Sequence, residues 1–296
     1  MSLNFNTDQL VDDVIHFLSR DRTDNIQLLI DLVRDCNKSN PYTSTPEKYM
    51  WEEQCGINIP LLYISSLYLY KHAKAIGIDT YLFATRDCSH WVKIFNKMYP
   101  EEHAVYFDCS RNMLDSATKT YNEYYDNYVR SCLKTTPDRA IFIDVHGTGK
   151  RIIGYFKKRF GGITPYSFLL SSSYRKYVDF PNLTKIHHKE GKFINLIFDA
   201  RGSPIEMLNY DVMGTLQSYN KHGSVRDTIE YSKKYLEAYH VCVEYILKYL
   251  KPADLDEDYD IEKLYKIIRK IYRVIQDNRP AISTFIKHPA KHPKKE

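Results

Sequence analysis

The chain of 296 residues carries a formal charge of +5 and is 43% hydrophobic, enough apolar material for one sizeable core with appendages or for two small domains. No run approaches the roughly 20 apolar residues of a membrane span, and the acidic start MSLNFNTDQLVDDVIHF does not suit a signal peptide. Because the small charge excess gathers in the tail FIKHPAKHPKKE, the reading excludes a nucleic-acid arm and predicts a cytosolic protein without a membrane span.

The six cysteines, at positions 36, 55, 88, 109, 132 and 242, form no CxxC pair and have no histidine at zinc-ligand spacing. Reduced thiols and no structural metal are expected. Cys88 and Cys109 fall in loops and read as small buried hydrophobes. Twenty-six tyrosines recur in segments such as YNEYYDNYVR and YSKKYLEAYH, a spacing that suits packing at helix edges better than base stacking.

In chain order, DQLVDDVIHFLSR and TDNIQLLIDLVRDC place apolar residues at i, i+3, i+4 and i+7 behind an Asp or Thr cap. They predict a helical N-terminal cap over residues 1–50, ending in the loop NKSNPYTSTPEKY. Helices and strands then alternate. IPLLYISSLYLYKHAKAIG reads as a helix ending at Gly77, and TYLFAT, AVYFDCS, RAIFIDV, YSFLLSS and KFINLIFDA read as five strands. Between them, RDCSHWVKIFNKMY, a Tyr-rich polar stretch and GKRIIGYFKKRFGG read as helices. The alternation predicts an α/β core over 51–220, a mostly parallel sheet with helices on both faces. VRDTIEYSKKYLEAYHVCVEYILKYL and DIEKLYKIIRKIYRVIQ predict a helical C-terminal extension over 221–285, before a basic tail at 286–296.

In open α/β sheets ligands bind outside the carboxyl ends of the strands. Three consecutive strands here end in polar loops, ATRDCSH, DCSRN and DVHGTGKR. They supply Arg86, Asp87, Ser110, Arg111, Asp144, Gly147, Thr148, Gly149 and Lys150. Guanidinium groups, free amides and carboxylates in that mixture suit a phosphorylated sugar. A Walker A loop would need glycine at Asp144 and Ser or Thr at Arg151, so that reading fails. His146 reads as a phosphate neighbour or a solvent-facing loop residue, and His187 and His188 as members of a polar loop with no ligand role.

RAIFIDVHGTGKR resembles the ribose-phosphate loop of type I phosphoribosyltransferases: an apolar strand, two acids, then Thr-Gly opening a helix. Asp144 stands in the second acidic position and Thr148-Gly149 at the turn that cradles phosphate, while Ile143 replaces the first acid. The resemblance implies that FATRDCS is the pyrophosphate loop, with Arg86 as its charge partner. A longer likeness runs over residues 55–219 through CGINIP, FATRDCS, VYFDCSR, IFIDVHGTGKR and SPIEMLNYDVMGTLQSY. That stretch resembles a phosphoribosyltransferase-like region of bacterial polysaccharide-biosynthesis proteins, where it accompanies a haloacid-dehalogenase-type phosphatase. Cys88 stands where that region has glycine.

The resemblance implies a type I phosphoribosyltransferase-like fold and transfer of a (phospho)ribosyl group from phosphoribosyl pyrophosphate to a glycan-type acceptor. Asp87, Glu206 and Asp144 become the catalytic candidates, with Asp87 placed before Glu206 as general base. Magnesium would enter with the donor's diphosphate, and no protein side chain is assigned to it. Two alternatives stand beside this one: a catalytically degenerate member that acts through its tyrosine-rich helical ends as a binding or assembly module, and a transferase acting on a nucleobase. YDVMGTL is close to the DxDGT phosphatase loop, but Met213 occupies the place of its second acid, so Asp211 reads as a loop residue. The oligomeric state is left open.

Overall fold

The computed structural model describes residues 7–20, 23–44, 46–228, 233–277 and 279–284, and the basic tail lies outside them. The two amphipathic patterns at the start form α1 (Thr7–Leu18) and α2 (Asp24–Lys38), the latter capped by the Thr23 hydroxyl, which accepts from the Ile26 amide at 3.3 Å. Helix α3 (Glu47–Glu53) runs through a π turn (Gln54–Asn58) into α4 (Ile59–Ala75). Among the described residues no helix is long and apolar enough to cross a membrane.

The apolar runs in the middle of the chain become β1 (Thr80–Ala84), β2 (Ala104–Phe107), β3 (Ala140–Asp144), β4 (Tyr166–Ser171) and β5 (Phe193–Ile197). They form one wholly parallel sheet in the order β2-β1-β3-β4-β5. Burial follows position: every residue of β1 is buried, while β2, at one edge, buries only Phe107. Parallel strands covered on both faces read as continuous apolar runs, which is why all five were visible in the sequence.

Helix α5 (Ser89–Met98) links β1 to β2. On the way back to β3 come α6 (Arg111–Lys119) and α7 (Glu123–Ser131), and α8 (Lys150–Arg159) and α9 (Asn182–Lys189) follow β3 and β4. Right-handed crossovers that leave β1 in one direction and β3 in the other place α5 on one face and α6 to α9 on the opposite face. Contacts agree, since α6 packs on α8 and α8 on α9, whereas α5 packs on α4. Helices α11 (Glu237–Tyr249) and α12 (Ile261–Asp277) return to the first face, where α12 lies along α4 and α11 along α2 and α3. One buried apolar cluster accordingly includes residues from Leu10 to Ile282.

Two expectations change. Residues 216–226 form an antiparallel hairpin, β6 (Leu216–Asn220) with β7 (Gly223–Arg226), where the sequence reading opened a helical stretch. Its strands are short and polar, and the turn closes on Asn220, whose side chain accepts from the His222 amide at 2.8 Å. His187 and His188 lie in α9 and not in a loop. His187 is buried with Nε2 2.8 Å from the Pro165 carbonyl, and the His188 ring stacks on Tyr177 at 3.5 Å.

A buried carboxyl ties the helical ends together. Glu53 accepts from Tyr239 Oη at 2.8 Å and from the Ala281 amide at 2.9 and 3.1 Å. Burial pushes its pKa from 4.5 up to about 8. The folded chain therefore holds this proton more tightly than the unfolded one. The stability it contributes is fully present below about 4.5 and lost as pH rises through about 8. Within that window wild type should lose up to about 1.4 kcal/mol per pH unit through this group. Glu53→Gln should follow a flatter curve in urea titrations across that pH range, since an amide does not titrate.

Candidate functional site

The winding reverses between β1 and β3, and at such a point the two following loops diverge and leave a crevice at the sheet's carboxyl edge. Register sets Ala84 level with Phe107 and Phe83 level with Ile143, so the loops after β1, β2 and β3 emerge side by side.

After β1 the chain turns through Arg86, whose φ of 71° is left-handed backbone that a side chain tolerates at about 1–2 kcal/mol. That conformation is fixed from outside. The Arg86 amide donates to Tyr106 Oη at 2.8 Å, and Tyr106 in turn donates to Asp211 Oδ2 at 2.5 Å. The guanidinium donates to Thr215 Oγ1 at 2.8 Å. Cys88, which follows, is wholly buried with its thiol 3.6 Å from the Ile143 carbonyl, and Cys109 is buried as well.

After β3, Asp144 is half-buried at the strand end and its Oδ1 lies 3.4 Å from the His146 amide. The glycine loop then passes close to its neighbours. A Cβ on Gly147 would lie 2.9 Å from Asp144 Oδ2, and one on Gly149, at φ +67°, would lie 3.0 Å from the Phe193 ring. Gly149 opens α8 with no side chain capping it, although Thr148 Oγ1 lies 3.3 Å from the Lys150 amide. Lys150 is exposed. His146 is half-buried and does not simply face solvent, because its two ring nitrogens each sit 3.0 Å from a serine hydroxyl, Ser171 and Ser173. Burial pushes its pKa down to about 4, so it is neutral at physiological pH.

The loop after β2 contributes less. Ser110 caps α6, accepting from the Met113 amide at 3.0 Å and donating to the Leu216 carbonyl at 2.5 Å. Its hydroxyl is committed locally. Arg111 is exposed at the first turn of α6, within the field of Glu206.

Glu206 belongs to α10 (Gly202–Leu208), which the sequence reading did not assign to a helix. The end of α10 is pinned by reciprocal amide bonds between Asn209 and Asn58 of the π turn, both 3.1 Å. Electrostatically, Asp87, Asp144 and Glu206 form one group. Burial first, then the charges of Asp87 and Glu206, hold Asp144 well above the usual carboxylate range. Burial and Asp87 raise Glu206 to about 7 against the opposing pull of Arg86 and Arg111. Burial also raises Asp87, with Arg86 opposing. At neutral pH the crevice thus holds three carboxyl groups and fewer than three negative charges. Among the described residues no three His, Cys, Asp or Glu side chains are grouped tightly enough to hold a metal ion.

The β6–β7 hairpin lies over the loops after β1 and β2. Besides the Thr215 and Leu216 contacts, Asn122 donates to the Tyr219 carbonyl at 3.0 Å, Tyr219 stacks on Tyr128 at 4.9 Å, and Arg226 pairs with Asp108. Asp211, buried and bonded to Tyr106, serves as a structural acceptor at the base of this hairpin. Tyr106→Phe removes the acceptor of a strained backbone amide and the donor to a buried carboxylate. It should cost about 1–3 kcal/mol in urea unfolding, whereas Arg111→Ala, at an exposed position, should stay within about 0.5 kcal/mol.

No protein-family model matches the chain, and no curated protein is significantly similar to it.

Proposed function

We infer that the chain is a phosphoribosyltransferase-like glycosyltransferase, of the type I phosphoribosyltransferase fold, that moves a (phospho)ribosyl group from phosphoribosyl pyrophosphate to a glycan-type hydroxyl. The observation that carries this reading is the convergence of Asp87, Asp144 and Glu206 with Arg86 and Arg111 in one electrostatic group at the point where the sheet reverses its winding.

The amides that open α8, with Thr148 and Lys150 beside them, suit a sugar phosphate. Arg86 suits the departing pyrophosphate, to which a guanidinium presents paired donors. Asp144 suits the ribose hydroxyls, accepting when ionised and donating when protonated. The carboxylate oxygens present are hard donors compatible with magnesium, which when bound would neutralise diphosphate charge. In the transfer the bond from the anomeric carbon to pyrophosphate breaks, the bond to the acceptor oxygen forms, and the hydroxyl proton passes to a base. Glu206, titrating at about 7, is better matched to that duty than Asp87, which stands next to the Arg86 charge.

One observation favours a second reading, a binding protein without turnover. Ile143, where the resemblance places an acid, is wholly buried in β3 and presents nothing to a ligand.

Calorimetry with phosphoribosyl pyrophosphate and magnesium tests for the donor site. Saturable binding weakened at least about tenfold by Asp144→Ala and by Thr148→Ala, one charge-assisted bond each, is the expected result. Failure of the folded wild type to bind would end the transferase reading and leave the binding or assembly module ahead. Where the donor binds, turnover separates the two readings. With Glu206 as base it must be deprotonated to act, so kcat/KM should rise about tenfold per pH unit below about 7 and level off above. Glu206→Gln should abolish that limb and lower kcat about 100- to 10,000-fold.

A further inference from the structure

The glycine loop is held from a direction that the transferase reading does not use. Ser171, the last residue of β4, grips it twice: its carbonyl accepts from the Gly147 amide at 3.2 Å, and its hydroxyl lies 2.7 Å from the Val145 carbonyl. The same hydroxyl is 2.8 Å from Tyr272 Oη, on α12, and 3.0 Å from His146 Nδ1. A serine hydroxyl has one proton and two lone pairs. A carbonyl only accepts, so the proton goes to Val145. Tyr272 must then donate to Ser171, and His146 Nδ1 must carry a hydrogen. The neutral ring that results has a bare Nε2, which accepts from Ser173 at 3.0 Å. Every donor and acceptor in the chain of contacts is used once. The opposite side of the ring is closed by α10, where a Cβ on Gly202 would come within 2.4 Å of His146.

We propose that Tyr272 and Ser171 are positioning residues for the glycine loop, acting through His146 held as its Nδ1-protonated tautomer, so that the C-terminal helix α12 is part of the donor site. The inference deepens the transferase reading and rests on it only for the identity of the ligand. Tyr272 and Ser171 touch no substrate in this account. They set the path of residues 145–147, and thereby the place of the amides that open α8.

The test begins without a ligand. In protein labelled with nitrogen-15 histidine, His146 should show a protonated Nδ1 and a bare Nε2 at pH 7. Ser171→Ala removes the acceptor of the Nδ1 hydrogen and should move the proton to Nε2, towards Ser173. Tyr272→Phe should keep the fold and accelerate hydrogen exchange at the Gly147 amide about tenfold, the loss of roughly one hydrogen bond's worth of protection. It should also weaken phosphoribosyl pyrophosphate binding by a similar factor. A wild-type ring protonated on Nε2, or averaging between tautomers, would overturn the proposal even if Ser171→Ala failed to fold. So would unchanged Gly147 exchange in Tyr272→Phe. If wild type binds no donor but tautomer and exchange behave as described, the positioning chain stands and the transferase reading falls.

Discussion

Right-handed crossovers on a parallel sheet whose winding reverses between β1 and β3 are the constraint from which the rest of this molecule follows. The reversal sends α5 and α8 to opposite faces, and it leaves polar backbone at the carboxyl edge with no helix to cover it. Arg86 and the glycine loop sit on the two sides of that gap. Both have strained or crowded backbone: Arg86 is left-handed, and the positions of Gly147 and Gly149 leave little room for a side chain. Such conformations persist only where surroundings over-determine them. Tyr106 and Asp211 do this for Arg86, Ser171 for the loop.

The carboxyl cluster is a second consequence of the same geometry. Three acids, one on a loop, one at a strand end and one on a helix, share a crevice whose burial disfavours charge; Asp87 and Glu206 raise Asp144, and Asp87 raises Glu206. Two arginines temper the effect without cancelling it. The helical ends of the chain reach the residues around this crevice as well. The π turn pins α10 through Asn58, and α12 reaches Ser171 through Tyr272.

The sheet was legible because buried parallel strands are continuous apolar runs, and the loops because they follow those runs in order. Arg86, Asp87, Asp144 and the glycines could be placed at one edge from that order alone. The hairpin was not legible, since Leu216–Asn220 exposes alternate polar residues and Gly223–Arg226 is too short to carry a pattern. Helix α9 was missed because its eight residues, Asn182–Lys189, are mostly polar. The supports of the site escaped notice for a different reason. Thr215 meets Arg86 across 129 positions and Tyr272 meets Ser171 across 101, and neither tyrosine nor serine at such separations leaves a local signature.

The lateness of α12 in the chain has its own consequence during synthesis. Helix α4, Ile59–Ala75, is made early and finds its long neighbour α12 only when Ile261–Asp277 has been translated. At ordinary elongation rates the interval is on the order of 10–40 s. Until then the ribosome-bound chain carries an uncovered apolar flank, at first alone and, once Phe193–Ile197 is made, beside the sheet, so the nascent protein is exposed to aggregation until its final helix docks.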